Sequence, residues 1–192
     1  MTAEYVVIDL LSYLDDTGIT AADDLGGGSF NIWSNTFPAE HLPPVDAAGL
    51  VEVEAVPFRF PAKTGGPDNL RCDGRLIGVP VGRYDWIYLL AAAERRTEDP
   101  LRLHFADGST DPEWLRVPDF WPQTEPHFGF RAAIRFPVLH YPRHVQPNMA
   151  PSISRVRVPV PREADLAAIR LPDNPAIHIF AMTARAAGAD RR

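Results

Sequence analysis

Trp86-Ile87-Tyr88-Leu89-Leu90-Ala91-Ala92-Ala93 is a nearly unbroken apolar run. A strand covered on both faces reads this way, whereas a strand with one wet face alternates. Alternation is present elsewhere. Arg155-Val156-Arg157-Val158 sets arginine against valine, and Val51-Glu52-Val53-Glu54-Ala55 sets glutamate against small apolar residues before Val56-Pro57-Phe58-Arg59-Phe60. These stretches predict one doubly covered strand in the company of half-exposed ones.

Outward from there, short apolar runs are separated by turn chemistry. Tyr5 to Leu10 opens the chain as a strand, Asp15-Asp16-Thr17-Gly18 turns it, and Asp23 to Gly28 is an acidic, glycine-rich loop. Pro38 to Pro44 is bounded by prolines and holds at most one helical turn. Arg75 to Val81 is a further strand, and Leu101 to Ser109 runs into an Asp107-Gly108 hairpin turn. Trp114 to Val117, Ala132 to Val138, Ser152 to Val160 and Ala176 to Thr183 are the remaining strands. Leu139 to Met149 reads as an irregular loop and Arg162 to Ala168 as a short helical turn. No repeat or linker divides the chain, so residues 1–184 are expected to form a single β-sandwich domain, with 185–192 a frayed tail.

Composition narrows the class. The chain has 192 residues, 45% of them hydrophobic and 20 of them proline, which suits many short strands and not a helical bundle. All-β architecture, an antiparallel jelly-roll β-sandwich, is the expectation. Net charge is −6 and Lys63 is the only lysine, a balance that argues against a nucleic-acid partner. Cys72 is alone, so neither an intrachain disulfide nor a cysteine zinc site is available. Met1 to Leu11 carries Glu4 and Asp9 and lacks the basic start of a signal peptide. No run is long enough to span a bilayer. The chain therefore reads as cytoplasmic, with no membrane partner.

A succession of small motifs carries a resemblance. It begins with Asp9-Leu10, Asp16-Thr17-Gly18-Ile19-Thr20, Asp24 to Phe30 and Phe37-Pro38-Ala39-Glu40, and continues with Val56 to Pro61 and Gly66-Pro67-Asp68-Asn69. Tyr88 to Ala93, Phe105 to Ser109 and Pro118 to Trp121 follow, and Leu171 to Pro175 with Ile177 to Thr183 closes it. From about Ile8 to Thr183 this order resembles the galactose-binding-like, carbohydrate-binding jelly-roll modules appended to actinobacterial glycoside hydrolases. The resemblance implies a β-sandwich of sugar-binding ancestry, with a sugar or a glycosylated small molecule as ligand. The expected setting is a sugar-processing assembly, with a homo-oligomer or a hydrolase partner.

The candidate ligand residues follow from chemistry. Asp68 and Asn69 offer a carboxylate and an amide to adjacent hydroxyls, and they are equally what a tight turn needs. Trp33, Trp86, Trp114 and Trp121 are stacking candidates for the apolar face of a pyranose, Trp121 foremost because it lies in a loop. Arg143 adds a guanidinium from the Leu139 to Met149 loop. His140 and His144 are the acid–base candidates if the protein is an enzyme; their spacing would face one metal only on a helix, which Pro137, Pro142 and Pro147 forbid. His104 and His178 fall inside strands and read as packed or edge residues, and nothing argues for His41 or His127. Arg83-Tyr84-Asp85 is either a strand-entry ion pair or a ligand clamp. Asp15, Asp16, Asp23 and Asp24 supply hard oxygen ligands for a calcium ion, but their spacing matches no EF-hand loop. No bound cofactor and no other metal is expected, because hydrolase, phosphate-loop and dinucleotide motifs are missing. Non-catalytic recognition of a carbohydrate is the first expectation; the alternative is a small enzyme acting on a sugar-derived or natural-product substrate by His/carboxylate chemistry.

Overall fold

A computed structural model describes residues 4–61, 66–121 and 127–188. The first half of the chain forms β1 (Tyr5–Ile8), β2 (Ile19–Thr20), β3 (Phe37–Pro38), β4 (Leu50–Val53), β5 (Val56–Arg59), β6 (Leu70–Asp73), β7 (Leu76–Gly82) and β8 (Tyr84–Ala93). The second half forms β9 (Thr97–Phe105), β10 (Thr110–Val117), β11 (Ala132–Arg135), β12 (Val138–Tyr141), β13 (His144–Pro147), β14 (Ser152–Pro159), β15 (Leu166–Arg170) and β16 (Asp173–Ala186). One antiparallel sheet runs β1-β16-β8-β14-β11, with β6 also paired to β16; a second runs β10-β9-β15-β7. Taking β1, β7, β8, β9, β10, β14, β15 and β16 in chain order, the first, eighth, third and sixth lie side by side in one sheet. The second, seventh, fourth and fifth do so in the other. That interleaving is the double Greek key of a jelly roll. The chain is an antiparallel jelly-roll β-sandwich.

The doubly covered strand is β8, and the reason is a third layer. Ile87, Leu89, Ala91 and Ala93 of β8 face the core between the two sheets, with Leu103, Leu115 and Ile169 opposite. Tyr88, Leu90 and Ala92 face the other way, into a second core built with Phe30, Phe37, Phe58, Phe136 and Leu139. The loops and hairpins of residues 19–60 and 136–141 supply that second cover. Alternation on β8 therefore sorts residues between two apolar environments and leaves no polar face to read.

A bulge in β16 adjusts the same pattern. Ile179 pairs with Ala91 but Ala181 pairs with Leu90, so Phe180 is the extra residue. Before it Ile177 and Ile179 face the sandwich core; after it Met182 and Ala184 do. One inserted residue has switched the parity, and Phe180 turns into the second core.

Several local expectations need correcting. Residues 166–168, the end of the expected Arg162 to Ala168 helical turn, belong to strand β15, which bridges β9 and β7. Leu166 and Ile169 are buried there, which a solvent-side helical turn would not achieve. Leu139 to Met149 is mostly the antiparallel hairpin of β12 and β13 rather than an irregular loop. Strand β16 reaches Ala186, past the expected start of a frayed tail, because Arg185 makes a two-pronged contact with Asp85 at 2.7 and 2.6 Å. Asp85 is thus committed to Arg185, while Arg83 lies 3.9 Å from Asp165. Residues 62–65, 122–126 and 189–192, the last within the expected tail, lie outside the described residues. Among the described residues no helix is long and apolar enough to cross a membrane.

Candidate functional site

The cover layer leaves a cleft at one end of the first sheet. Trp33 and Asn35 form one wall, Asp119, Phe120 and Trp121 another, Tyr141 a third, and Glu94 and Arg95 lie at the end of β8. Its volume is about 400 Å³, in the range of small-molecule sites. Each wall is fixed locally. Phe120 donates its N–H to the Ala93 carbonyl at 3.0 Å, which seats the Asp119–Trp121 segment beside β8. The Trp121 N–H is then held by Asp119 Oδ1 at 2.8 Å. Asn31 Oδ1 accepts the N–H groups of Trp33 at 3.0 Å and Asn35 at 3.1 Å, so a buried amide stiffens the tip of this loop. That tip presents Ile32 and Trp33, which are 78% and 60% exposed.

Beneath the cleft lies a buried polar network. Asp68 accepts N–H groups from Gly18 at 3.0 Å and Ile19 at 2.9 Å, and from the Asn69 amide at 2.9 Å. A Cβ on Gly18 would fall 2.9 Å from the Asn69 amide nitrogen, so only glycine allows this approach. The Asn69 amide also reaches the Asp16 carbonyl at 3.2 Å, which orients its oxygen toward His178 Nδ1 at 2.8 Å. Asp16 Oδ2 lies 3.2 Å from the same Nδ1. Both neighbours of Nδ1 are acceptors, so Nδ1 carries a proton and donates toward them. Nε2 is buried without a hydrogen-bond partner, and it lies 4.0 Å from Glu94 Oε1 in the cleft. Phe30 packs on the imidazole with ring centroids 4.2 Å apart.

The charges respond to these surroundings. Burial pushes the Asp68 carboxyl up to about 6, against the pull of its three N–H donors. Burial also works against the Asp16 carboxylate, but its contacts with His178, Arg71 and Asn69 prevail and hold its pKa below the usual range. His140 is depressed below the ordinary histidine value, chiefly by burial, with the Glu40 carboxylate opposing.

The residues singled out in the sequence are distributed unequally about this site. Trp121 lines the cleft. Asp68 and Asn69 do not: they are 3% and 0% exposed and hold the fold beneath it. Arg143 is exposed at the turn between β12 and β13. His140 and His144 do not converge. Tyr141 pairs with His144 and His140 with Val145 across the hairpin, so the two histidines point to opposite faces. His140 is buried on Thr20 Oγ1 at 3.0 Å, whereas His144 is exposed and stacks on Tyr141 at 4.8 Å.

The acidic residues also part company. Asp15 is paired with Arg75 and Asp16 with His178 and Arg71, while Asp23 and Asp24 occupy an exposed turn. Among the described residues no group of three or more His, Cys, Asp or Glu is placed to hold a metal. Trp86 lies under the Arg157 guanidinium at 4.5 Å, and Trp114 is half-exposed on the other sheet.

Glu94 and the Asp16–His178 pair are the features hardest to see in the sequence. The pair's signal is a histidine within the apolar run Ile177-His178-Ile179-Phe180, a polar group that burial obliges to find partners. No curated protein matches the chain at a significant level. A family model does match it, over residues 4–187, nearly the whole jelly roll just described. The chain belongs to the AziU2-like beta-sandwich domain family.

Proposed function

We propose that the cleft binds a carbohydrate or a glycosylated small molecule. The observation that carries this reading is the pairing of aromatic walls, Trp33, Trp121 and Tyr141, with the carboxylates Glu94 and Asp119 and the guanidinium Arg95. Flat aromatic faces cover the apolar face of a sugar ring while carboxylates and guanidinium groups pair with its hydroxyls. The sandwich is the level at which this chain agrees with galactose-binding-like modules; the sugar reading rests on the cleft itself. A thermal-shift screen against monosaccharides, oligosaccharides and an aryl glycoside should raise the melting temperature for at least one class. Trp33→Ala and Trp121→Ala should each weaken that ligand by about 1 to 3 kcal/mol in a titration. If no sugar or glycoside shifts the melting temperature, or if both variants bind as the parent does, the reading fails.

One observation favours a second reading, an enzyme using His/carboxylate acid–base chemistry. The unpartnered His178 Nε2 lies beside the Glu94 carboxylate, with Asp16 behind the ring. In that reading Glu94 exchanges the proton with substrate, and His178 is a positioning residue that biases it. Glu94→Gln should then stop conversion of the bound glycoside yet preserve its binding, and His178→Gln should displace the pH profile. His144→Ala should change neither. A glycoside recovered intact after long incubation with the parent protein sinks this second reading and leaves simple binding.

A further inference from the structure

A separate concavity of about 470 Å³ opens on the outer face of the first sheet. Among the described residues its lining includes Arg131, Arg155 and Arg157 against the single carboxylate of Glu54, with Tyr88 and Phe130 as apolar wall. It shares no lining residue with the aromatic cleft. Val156 and Val158 turn into the sandwich core, so strand alternation sends Arg155 and Arg157 outward together. Arg155 lies over the Tyr88 ring at 5.3 Å, and Arg157 over Trp86 at 4.5 Å. Glu54 pairs with Arg155 from the tip of the β4–β5 hairpin, where Glu54 and Ala55 adopt φ of 48° and 62°. Neither is glycine, so the turn is held in a left-handed conformation that side chains resist. The hairpin tip is thereby brought to the guanidinium.

Two features make this more than a solvated face. Guanidinium groups seated on aromatic rings have given up much of their side-chain freedom and part of their hydration, so an arriving anion orders little that is not already ordered. The local balance is also positive, three arginines against one glutamate, on a chain whose net charge is −6. We infer that this concavity is a binding site for a small organic oxyanion, a phosphate or carboxylate carried on an aromatic or apolar body. Arg131 and Arg157 hold the oxygens by charge-assisted hydrogen bonds, and Phe128 and Phe130 cover the body.

Titration calorimetry with phenyl phosphate, benzoate, inorganic phosphate and phenol tests it. Phenyl phosphate or benzoate should bind saturably and more weakly as salt is raised, the tighter of the two identifying the oxyanion. Phenol should bind at least tenfold more weakly than either. Arg131→Gln and Arg157→Gln, both at exposed positions, should each weaken the aromatic anion at least tenfold with the melting temperature of the free protein unchanged. Phenol binding as tightly as the anions overturns the proposal, as do variants that bind like the parent or an absence of saturable binding. Inorganic phosphate binding as tightly as phenyl phosphate overturns the apolar wall.

Discussion

Phe37→Ala should lower the unfolding free energy by about 3 to 5 kcal/mol, the range for emptying a fully buried aromatic site. The Phe37 ring sits among Phe30, Phe136 and Phe180 at centroid distances of 5.1, 5.1 and 5.8 Å, and among these neighbours no small side chain can fill the gap cheaply. The loss should be localised. The Phe37 N–H donates to the Gly18 carbonyl at 2.8 Å, and that contact joins the cover layer to the buried polar network. Hydrogen exchange measured by NMR should show amides of residues 18–37 losing protection well before those of β9 and β15, which enclose the sandwich core. Uniform loss across both cores would mean that cover and sandwich unfold as one unit, and the separation argued above would be wrong.

Asp68→Ala should cost about 3 to 5 kcal/mol at pH 5, because the buried N–H groups of Gly18 and Ile19 would each lose their acceptor. The cost should shrink as pH rises. Burial holds the Asp68 carboxyl near 6, above the value of about 3.9 expected in the unfolded chain, so between these values the native state binds the extra proton. Its contribution is then fully present below about pH 4 and falls through pH 6, by about 2 to 3 kcal/mol in all. Chemical denaturation at a series of pH values should give a parent curve declining over this window and a flatter one for the variant. A parent-to-variant difference that does not fall between pH 4 and pH 8 would show that Asp68 is ionised throughout. The sequence offers the Asp68 carboxylate to a ligand's hydroxyls as readily as to a turn; burial has made it a stability residue.

That reversal illustrates what the sequence can and cannot say about sites. Asp68-Asn69 follows Gly66-Pro67, and a turn sequence looks the same whether its polar side chains face water or reach across the chain to Gly18 and His178. The spacing of His140 and His144 carries no pairing once prolines forbid a helix, and in the antiparallel hairpin it is the cross-strand partner that decides which face each takes. Trp121 reads as a loop residue because Asp119 and Pro122 flank it with loop chemistry, and in the structure it lines the cleft.

By itself the sequence determined the all-β class, the doubly covered strand at Trp86 to Ala93, and the hairpin at Asp107-Gly108. These are carried by local periodicity and turn propensity, which act over a few residues and survive in the linear string. Tertiary structure alone decided the cover layer's second core, the parity switch at Phe180, the meeting of Asp16, Asn69 and His178, and the gathering of Arg131 with Arg155 and Arg157. Each depends on strands far apart in the chain lying side by side. Local propensity carries no information on such register, which is set only when the apolar faces of distant strands are buried together.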